Sequence, residues 1–288
     1  MNGIGFGNSM FLATHGILAR SGGGGASLLL DTYTGAAVAY SLRQLRTAYT
    51  GAAIRVRRSS DNAEQDINFV GGDLDTASLL TFVGANNGFV TTWYDQSGNA
   101  NNSTQATAAN QCQIVSSGSL ILDADTSKIS TTWSTDRYNL TNGISTNTQY
   151  LSVSMWRRGA TTSDTMIHLG NSTGNAPCTL YWLGTVSAYS VRSYMSTLLS
   201  YQNVSTTGRC VMTSLRDSAN LKVAYRNGVQ LTNTATQVPV AGTLTTFGQV
   251  STSVYTSGQY QEYIYWDSEQ SANRTGIETD INTYWNAY

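Results

Sequence analysis

The chain is short of charge. Only 11% of its 288 residues are charged, and 16 basic side chains against 17 acidic ones leave a formal net charge of −1. A near-neutral chain has no electrostatic attraction for nucleic acid or for an anionic membrane surface, so neither is expected as a partner. No apolar run approaches the length of a transmembrane helix, so membrane insertion is not expected either.

Cysteine, histidine and proline are also scarce. The three cysteines, Cys112, Cys178 and Cys210, lie far apart, with no histidine or cysteine at metal-ligand spacing. This pattern indicates buried thiols in a protein that folds in a reducing cytoplasm. The first residues lack the cationic start and the apolar core of a signal peptide, which points the same way.

What the chain has in quantity is Ser, Thr, Asn, Gln, Val and Tyr, a composition that favours β-structure. Residues 151–155 alternate apolar and serine side chains, as in a strand. In LKVAYRNGVQLTN, two alternating runs flank Asn227-Gly228, a preferred hairpin turn. QYQEYIYW (259–266) predicts another strand.

The end of the sequence predicts one helix. Asp267 with Gln270 three residues later is a helix-start signal, and Ile277, Ile281, Tyr284 and Trp285 fall on one helical face. Many short strands with one packing helix predict an all-β jelly-roll sandwich over residues 27–288.

Residues 1–26 form a separate segment, predicted to be an extended or helical arm that ends in the Gly-rich linker SGGGGAS. Ordering such a segment costs about 1–2 kcal/mol per residue in backbone entropy. Burial of its apolar side chains against another protein would offset that cost, so the arm is expected to anchor the chain. The predicted anchoring residues are Ile4, Phe6, Met10, Phe11, Ile17 and Leu18.

The stretch TTWYDQSGNANNSTQATAANQCQIV (91–115) reads like an active-site signature. Its aromatic and amide side chains also suit a tight corner. Trp93 and Tyr94 would end a buried strand, and Asp95 would cap the following turn through hydrogen bonds to the backbone. Gln96 and Asn99 belong to the same predicted structural turn. The alternative is a ligand site at Asp95 and Gln96.

The same stretch carries a resemblance. YDQSGN, the Asn-rich turn and TQA resemble a segment of the catalytic domain of the α-L-arabinofuranosidase B family, a concanavalin A-like sandwich. The run from AYSLRQLRTAYTG to QCQIV also resembles a laminin G-like or concanavalin A-like module of bacteriophage structural proteins and bacterial surface proteins. The resemblance covers residues 28–288, and its specific part is 28–115.

Catalysis in the arabinofuranosidase family implies a glutamate on a central strand and an aspartate in a later loop. The resemblance puts residues 178–186 at the first position and residues 247–263 at the second. Neither segment has a carboxylate before Glu262, which lies in a predicted strand. Since hydrolysis of a glycosidic bond needs two carboxylates, the chain is expected not to be an enzyme.

These patterns predict a bacteriophage virion protein: a fibre, decoration or adhesion subunit assembled in the host cytoplasm. The arm would bind other virion proteins, the oligomer would be a homotrimer by analogy with phage fibres, and the sandwich would bind host-surface glycans. The alternative is a carbohydrate-active protein, either a lectin or a divergent arabinofuranosidase-like hydrolase. Candidate aromatic residues for stacking on sugar rings are Tyr181, Trp182, Tyr189 and Tyr194.

Other clusters have simpler interpretations. Arg55, Arg57 and Arg58 are expected to pair with nearby acids on a solvated strand face. His168 is expected in the core or at a sheet edge, not as a base. Acidic residues in 71–76 and 123–127 could hold Ca²⁺, although neither segment has the spacing of a calcium loop, and no other cofactor is expected.

Overall fold

The computed structural model describes residues 27–146, 149–158, 165–171, 181–185, 188–192, 208–219, 221–231, 235–236, 242–251 and 254–288. The predicted arm, residues 1–26, lies outside these ranges. Within them the chain is mostly β-strand, and no helix is long and apolar enough to cross a membrane.

The helices and strands are numbered here in chain order. The helices are α1 (Leu29–Thr32), α2 (Thr76–Val83) and α3 (Arg274–Trp285). The strands before residue 146 are β1 (Val38–Ser41), β2 (Ile54–Arg58), β3 (Glu64–Ile67), β4 (Phe69–Val70), β5 (Asp73–Leu74), β6 (Gly88–Trp93), β7 (Ser103–Thr104), β8 (Gln113–Ser116), β9 (Ser119–Leu120), β10 (Thr131–Asp136) and β11 (Tyr138–Ser145). The later strands are β12 (Tyr150–Arg158), β13 (Thr165–Ile167), β14 (Leu169–Gly170), β15 (Tyr181–Thr185), β16 (Ala188–Arg192), β17 (Gly208–Arg216), β18 (Leu221–Arg226), β19 (Val229–Gln230), β20 (Ala235–Thr236), β21 (Thr243–Phe247), β22 (Gln249–Ser251) and β23 (Val254–Trp266).

The first layer of the sandwich is built around β23, the last strand. Its two ends pair with β1 and β10 on one side, and β12 pairs along the other side. The sheet continues from β12 to β17 and β18, all antiparallel. In this register Ser152 lies between Tyr265 on β23 and Ser214 on β17. The central strand of this layer therefore comes from the end of the chain.

The second layer runs from β3 through β2 to β6, which pairs with β7 and β8. It continues through β7 to β11, then to β21 and β14. The bridge between Thr132 and Gln113 joins the two layers at one edge, where β10 meets β8. A separate small sheet contains β13, β15 and β16.

Aromatic rings fill the space between the layers. The ring centroid of Phe247, on the second layer, lies 5.1 Å from that of Tyr263 and 5.1 Å from that of Trp133, both on the first layer. It also lies 5.5 Å from Tyr40 on β1. Aromatic side chains bury large areas, so this contact between layers is a main source of core stability. An all-β sandwich is confirmed.

Asp75 caps α2 by accepting a hydrogen bond from the Ser78 amide, and the helix ends at Gly84. The predicted Asn227-Gly228 hairpin is confirmed, with φ of 53° and 75° at the two turn residues. The predicted helix start at Asp267 is wrong, because α3 begins after Asn273. Tertiary packing selects the later turns, where the apolar side chains begin to contact the sheet.

Candidate active site

The Asp95 carboxylate holds together the corner after β6. Its Oδ1 accepts hydrogen bonds from the Ala39 amide at 2.9 Å and from the Ser97 amide at 2.9 Å. Its Oδ2 accepts from the Ser97 hydroxyl at 2.7 Å and from the Asn101 amide at 3.0 Å. Burial raises the pKa of the Asp95 carboxyl, although these donors act in the opposite direction. The Asp95 carboxylate thus connects the turn at residues 97–101 to β1. The purely structural role of this turn stays a prediction.

The neighbouring amide side chains also form hydrogen bonds to the backbone of the segment around β1. Gln96 is fully buried, and its Oε1 accepts from the Leu45 amide at 2.8 Å while its Nε2 donates to the Arg43 carbonyl at 3.0 Å. Asn99 donates from Nδ2 to the Ala36 carbonyl at 3.0 Å. Trp93 is buried in the core. The structure thus ties this corner to the segment around β1.

The predicted calcium segments are occupied by protein contacts. In 71–76, Asp73 contacts the Tyr284 hydroxyl. In 123–127, the Asp123 carboxylate lies 3.2 Å from Arg157 and 3.5 Å from Arg209. Two guanidinium groups at one carboxylate neutralise the charge that would attract a cation. Among the described residues no group of three acidic, histidine or cysteine side chains is arranged to hold a metal ion.

The candidate sugar-binding aromatic residues fall at the limit of what the structure describes. Tyr181 and Trp182 lie in β15, and Tyr189 lies in β16, which pairs with it. Their backbone positions are described, but their side chains are outside the description, and Tyr194 lies outside the described residues altogether. The sugar-stacking role stays a prediction.

Two of the three arginines on β2 pair with acids, as predicted. Arg55 contacts Glu64 at 2.7 Å and Asp66 at 3.0 Å, on an exposed face of the sheet. Arg58 contacts Asp61 at 2.6 Å. Because these ion pairs are solvent-exposed, they contribute little to stability. The third arginine, Arg57, donates to the side-chain oxygens of Gln111 and Asn62 instead of to an acid.

Glu262, the one carboxylate within the second motif segment, is buried in a network. Its Oε2 accepts from Arg43 Nε at 2.7 Å, from the Ser41 hydroxyl at 2.8 Å and from Trp285 Nε1 at 2.9 Å. The same Arg43 guanidinium also contacts Asp280 at 2.7 Å. The network joins β1, β23 and α3.

Glu262 and Asp280 are candidates for a catalytic pair of carboxylates because they lie close together. Both contact Nη2 of Arg43, at 3.0 and 2.7 Å. Two carboxylates that share one nitrogen are about as close as the pair in a retaining glycosidase, roughly 5 Å apart. The side chain of Glu262 is nevertheless 0% exposed. The arginine occupies the space between the two groups where a sugar would have to enter. This pair is therefore structural.

His168 lies in the sandwich interior between two serines. Its Nδ1 is 2.7 Å from the Ser152 hydroxyl and its Nε2 is 2.7 Å from the Ser154 hydroxyl. The Ser152 hydroxyl is also 3.1 Å from that of Tyr263. Burial lowers the pKa of His168 to about 3, so the ring is neutral at ordinary pH. The prediction of a core histidine is confirmed.

Five acidic side chains are buried among the described residues: Asp95, Asp123, Asp136, Glu262 and Glu278. Three of them have their oxygens saturated by the contacts given above. The other two differ, since Asp136 accepts from the Ser134 amide at 2.7 Å and Glu278 pairs with Arg274. Burial raises the pKa of both carboxyls, which is the property required of a general acid.

Asp136 and Glu278 lie in different surroundings. Glu278 belongs to α3, which packs against β12 and β17 on the side away from the second layer. Asp136 ends β10, where the pairing with β23 shifts register. A side-chain Cβ placed at Gly248 would lie 3.3 Å from the Asp136 carbonyl, so the start of the second motif segment packs against this residue.

Sequence reasoning did not single out Asp136. It sits in an ordinary strand-like run with no motif around it, and only the folded sandwich brings residue 136 beside residue 248. The register shift in β10 helps to set its position, and such a bulge cannot be read from sequence alone.

A family model, "Alpha-L-arabinofuranosidase B, catalytic", matches residues 30–167, just under half of the chain. This match, with the sandwich, supports a distant arabinofuranosidase-like domain. No curated protein sequence matches the chain.

Two of the solved structures similar to the chain are arabinofuranosidases. One is an arabinofuranosidase complexed with arabinofuranosyl-α-1,2-xylobiose, at 16% identity and a TM-score of 0.68. Another is a GH54 α-L-arabinofuranosidase soaked with a cyclic sulfate inhibitor, at 17% identity and a TM-score of 0.68. Each match covers 89% of this chain and 64% of the other chain, so this chain spans less than two thirds of the length of those proteins. At such identities the likeness shows the fold.

These findings correct the functional prediction. The assignment to a bacteriophage structural protein without enzyme activity is wrong, because the matching family model and structures are catalytic arabinofuranosidase domains. The assignment to a virion is wrong for the same reason. The error came from weighing two motif positions alone, whereas a sandwich can supply acids from any of its strands. The anchoring residues and the homotrimer stay predictions, since residues 1–26 lie outside the described ranges.

Proposed function

We propose that the chain is a glycoside hydrolase domain of the arabinofuranosidase type, with a concanavalin A-like jelly-roll sandwich, acting on α-L-arabinofuranosides. The observation that carries the proposal is the coincidence of two independent likenesses: a catalytic family model over residues 30–167 and a similar sandwich over 89% of the chain. The substrate class is the one named for those relatives.

Asp136 is the proposed general acid. Hydrolysis requires a protonated carboxyl that donates to the leaving oxygen, and such a group needs a pKa above that of an ordinary aspartate. Burial raises the pKa of Asp136, although the Ser134 amide, which donates to it at 2.7 Å, and the nearby Arg137 act in the opposite direction. Its position against Gly248 puts it beside the segment that resembles the second catalytic position.

The test compares two substrates. The purified chain is assayed on 4-nitrophenyl α-L-arabinofuranoside and on arabinofuranosyl xylobiose. Nitrophenolate leaves readily without a proton, while a sugar alcohol does not. Asp136→Asn should therefore lower kcat on the xylobiose substrate by about 10²–10⁴-fold and lower it much less on the nitrophenyl substrate.

Glu278→Gln is the matched control, because Glu278 is an equally buried acid whose pKa is also raised. It should leave both rates unchanged. If wild-type protein turns over neither substrate, the hydrolase proposal is wrong, and calorimetric titration with the same oligosaccharides then decides for a sugar-binding protein. If Asp136→Asn retains full activity on both substrates, the hydrolase proposal survives and the acid lies elsewhere.

A further inference from the structure

The outer face of the second layer carries a row of side chains that runs across the strands, called here the Arg57 row. Arg57 on β2 lies opposite Phe89 on β6, and Phe89 lies opposite Gln113 on β8. Glu64 on β3 and Thr132 on β10 extend the row at its two ends. Adjacent strands lie about 4.8 Å apart, so the row is roughly 19 Å long. All its members are at least partly exposed, so a ligand can lie across it.

Arg57 is held in place by three uncharged side chains. Its guanidinium carbon lies 5.0 Å from the ring centroid of Phe89. Its Nε donates to Gln111 Oε1 at 2.8 Å, and its Nη1 donates to Asn62 Oδ1 at 2.9 Å. Gln111 is itself fixed, since it is buried and donates to the Gln105 carbonyl at 2.8 Å. Among the described residues no acid pairs with Arg57 and no acceptor contacts its Nη2, so a preoriented donor is left over.

Arg58, the next residue on β2, shows how a purely structural arginine is arranged on this strand. Its guanidinium carbon also lies 5.0 Å from a phenylalanine ring, that of Phe82. Its Nε and Nη2 donate to the Asp61 carboxylate at 3.0 and 2.6 Å, and its Nη1 donates to the Phe82 carbonyl at 2.7 Å. Every nitrogen of this guanidinium has an acceptor within the protein. Arg57 has the same stack without the acid, which points to a ligand at its free nitrogen.

The charges around Arg57 cancel. The three arginines of β2 are matched by three acids, since Arg55 pairs with two of them and Arg58 with the third: Glu64, Asp66 and Asp61. A face without net charge exerts no long-range attraction on an anion. Charge complementarity therefore favours an uncharged ligand for the Arg57 row.

The polar side chain on the other side of Phe89 offers an acceptor. Gln113 donates from Nε2 to the Val115 carbonyl at 3.0 Å, and its Oε1 accepts no hydrogen bond from the described residues. A donor at Arg57 and an acceptor at Gln113 thus flank the Phe89 ring, each one strand away from it. A sugar hydroxyl can both donate and accept, whereas a carboxylate or a sulfate can only accept. The row therefore matches a chain of hydroxyl groups.

We infer that the Arg57 row binds the neutral xylose main chain of an arabinose-bearing xylan. The inference rests on the proposed function and deepens it, because the arabinofuranosyl xylobiose of that proposal joins arabinose to such a main chain. Thr132, at one end of the row, precedes Asp136 by four residues on β10, which is roughly 13 Å of strand. The row is therefore apart from the reacting bond, and it holds the polysaccharide while a side group is cleaved elsewhere.

The test is calorimetric titration of the whole chain with two probes: xylohexaose, which is neutral and carries no arabinose, and an oligogalacturonide of equal length. Xylohexaose should bind with the same affinity at low and high salt, since no ion pair forms. Arg57→Gln should weaken that binding at least about fivefold, because a hydrogen bond from a charged donor is lost. Arg58→Gln is the matched control and should change the affinity less than about twofold, because its nitrogens are already used within the protein.

Arg57→Lys keeps the charge but loses the planar fork, and it serves as the second variant in case Arg57→Gln lowers the melting temperature. It should weaken xylohexaose binding as Arg57→Gln does. No binding of xylohexaose by the wild type, equal affinity in the Arg57 variants and wild type, an equal loss in Arg58→Gln, or tighter binding of the oligogalacturonide would each overturn the inference. Turnover of 4-nitrophenyl α-L-arabinofuranoside by the wild type is measured in parallel. Its absence would refute the hydrolase proposal by itself, because xylohexaose binding is measured without any cleavage.

Discussion

Replacement of Asp95 by alanine tests whether the corner after β6 is structural. The substitution removes the acceptor of four hydrogen bonds, three of them from backbone amides at Ala39, Ser97 and Asn101. A buried donor left without an acceptor costs about 1–3 kcal/mol. The Ala39 and Asn101 amides are buried, whereas the Ser97 amide is partly exposed and can bond to water.

Two buried amides and one partly exposed amide give an expected loss of about 3–5 kcal/mol in the free energy of unfolding. Urea denaturation, followed by tryptophan fluorescence and by circular dichroism, measures it. The two probes should give coincident transitions with an unchanged m-value, since the same surface is exposed on unfolding.

Asp61→Ala provides the control. Asp61 also accepts from a backbone amide two residues on, at 3.1 Å, and pairs with Arg58, but it is exposed. Its replacement should cost less than about 1 kcal/mol. A loss below about 1 kcal/mol for Asp95→Ala, combined with lost glycan binding, would refute the structural reading and favour a ligand site at this corner.

Three further substitutions test the core. His168→Gln should flatten the pH dependence of the free energy of unfolding. The folded pKa of about 3 lies below the unfolded value of about 6.5, so wild-type stability falls by roughly 1.4 kcal/mol per pH unit as the pH drops from 6.5 toward 3. An equal slope in the variant would contradict the assignment. Gly248→Ala should lower the free energy of unfolding by about 2–4 kcal/mol, because its Cβ would lie 2.6 Å from a tryptophan ring. Gly71→Ala, with open space around it, should lower it by only about 1 kcal/mol. Equal melting temperatures of the two variants would contradict this expectation. Arg43→Ala should cost about 3–5 kcal/mol because it leaves a buried glutamate unpaired, and Arg55→Ala less than about 1 kcal/mol; similar denaturation midpoints would refute it.

Local elements were readable from the sequence where one short signal decides the structure. A two-residue hairpin turn needs positive φ at both residues, which Asn227-Gly228 adopts and few other residue pairs do, so these two residues were enough to predict the hairpin. This signal acts within two residues, and no distant contact has to be known.

The polar interior could not be read in the same way. The alternation of Ser152 and Ser154 with apolar residues predicts a strand with one polar face, and such a face is usually solvated. The structure buries it, because His168 lies between the two hydroxyls. The direct pairing of Arg216 with Lys222 also depends on strand register, which sequence spacing leaves open.

The functional site was the least predictable feature. The absence of acids at two motif positions predicted a protein without enzyme activity, and that prediction was wrong. Asp136 lies more than a hundred residues before the segment it packs against. Its raised pKa comes from burial, which is a property of the fold and not of any local pattern.

The placement of β23 has a consequence for synthesis of the protein. Residues 254–266 form the strand on which β1, β10 and β12 all pair, yet they are synthesised long after those three strands. Until they emerge, Val38–Ser41 has no partner strand in its layer, and contacts over such separations form slowly. The segment that matches the family model, residues 30–167, ends before β23 and so cannot complete the first layer by itself. Ribosome-bound chains stalled before residue 254 should therefore be open to proteases and dependent on chaperones, and protection should arise in one step once residues 254–266 have emerged.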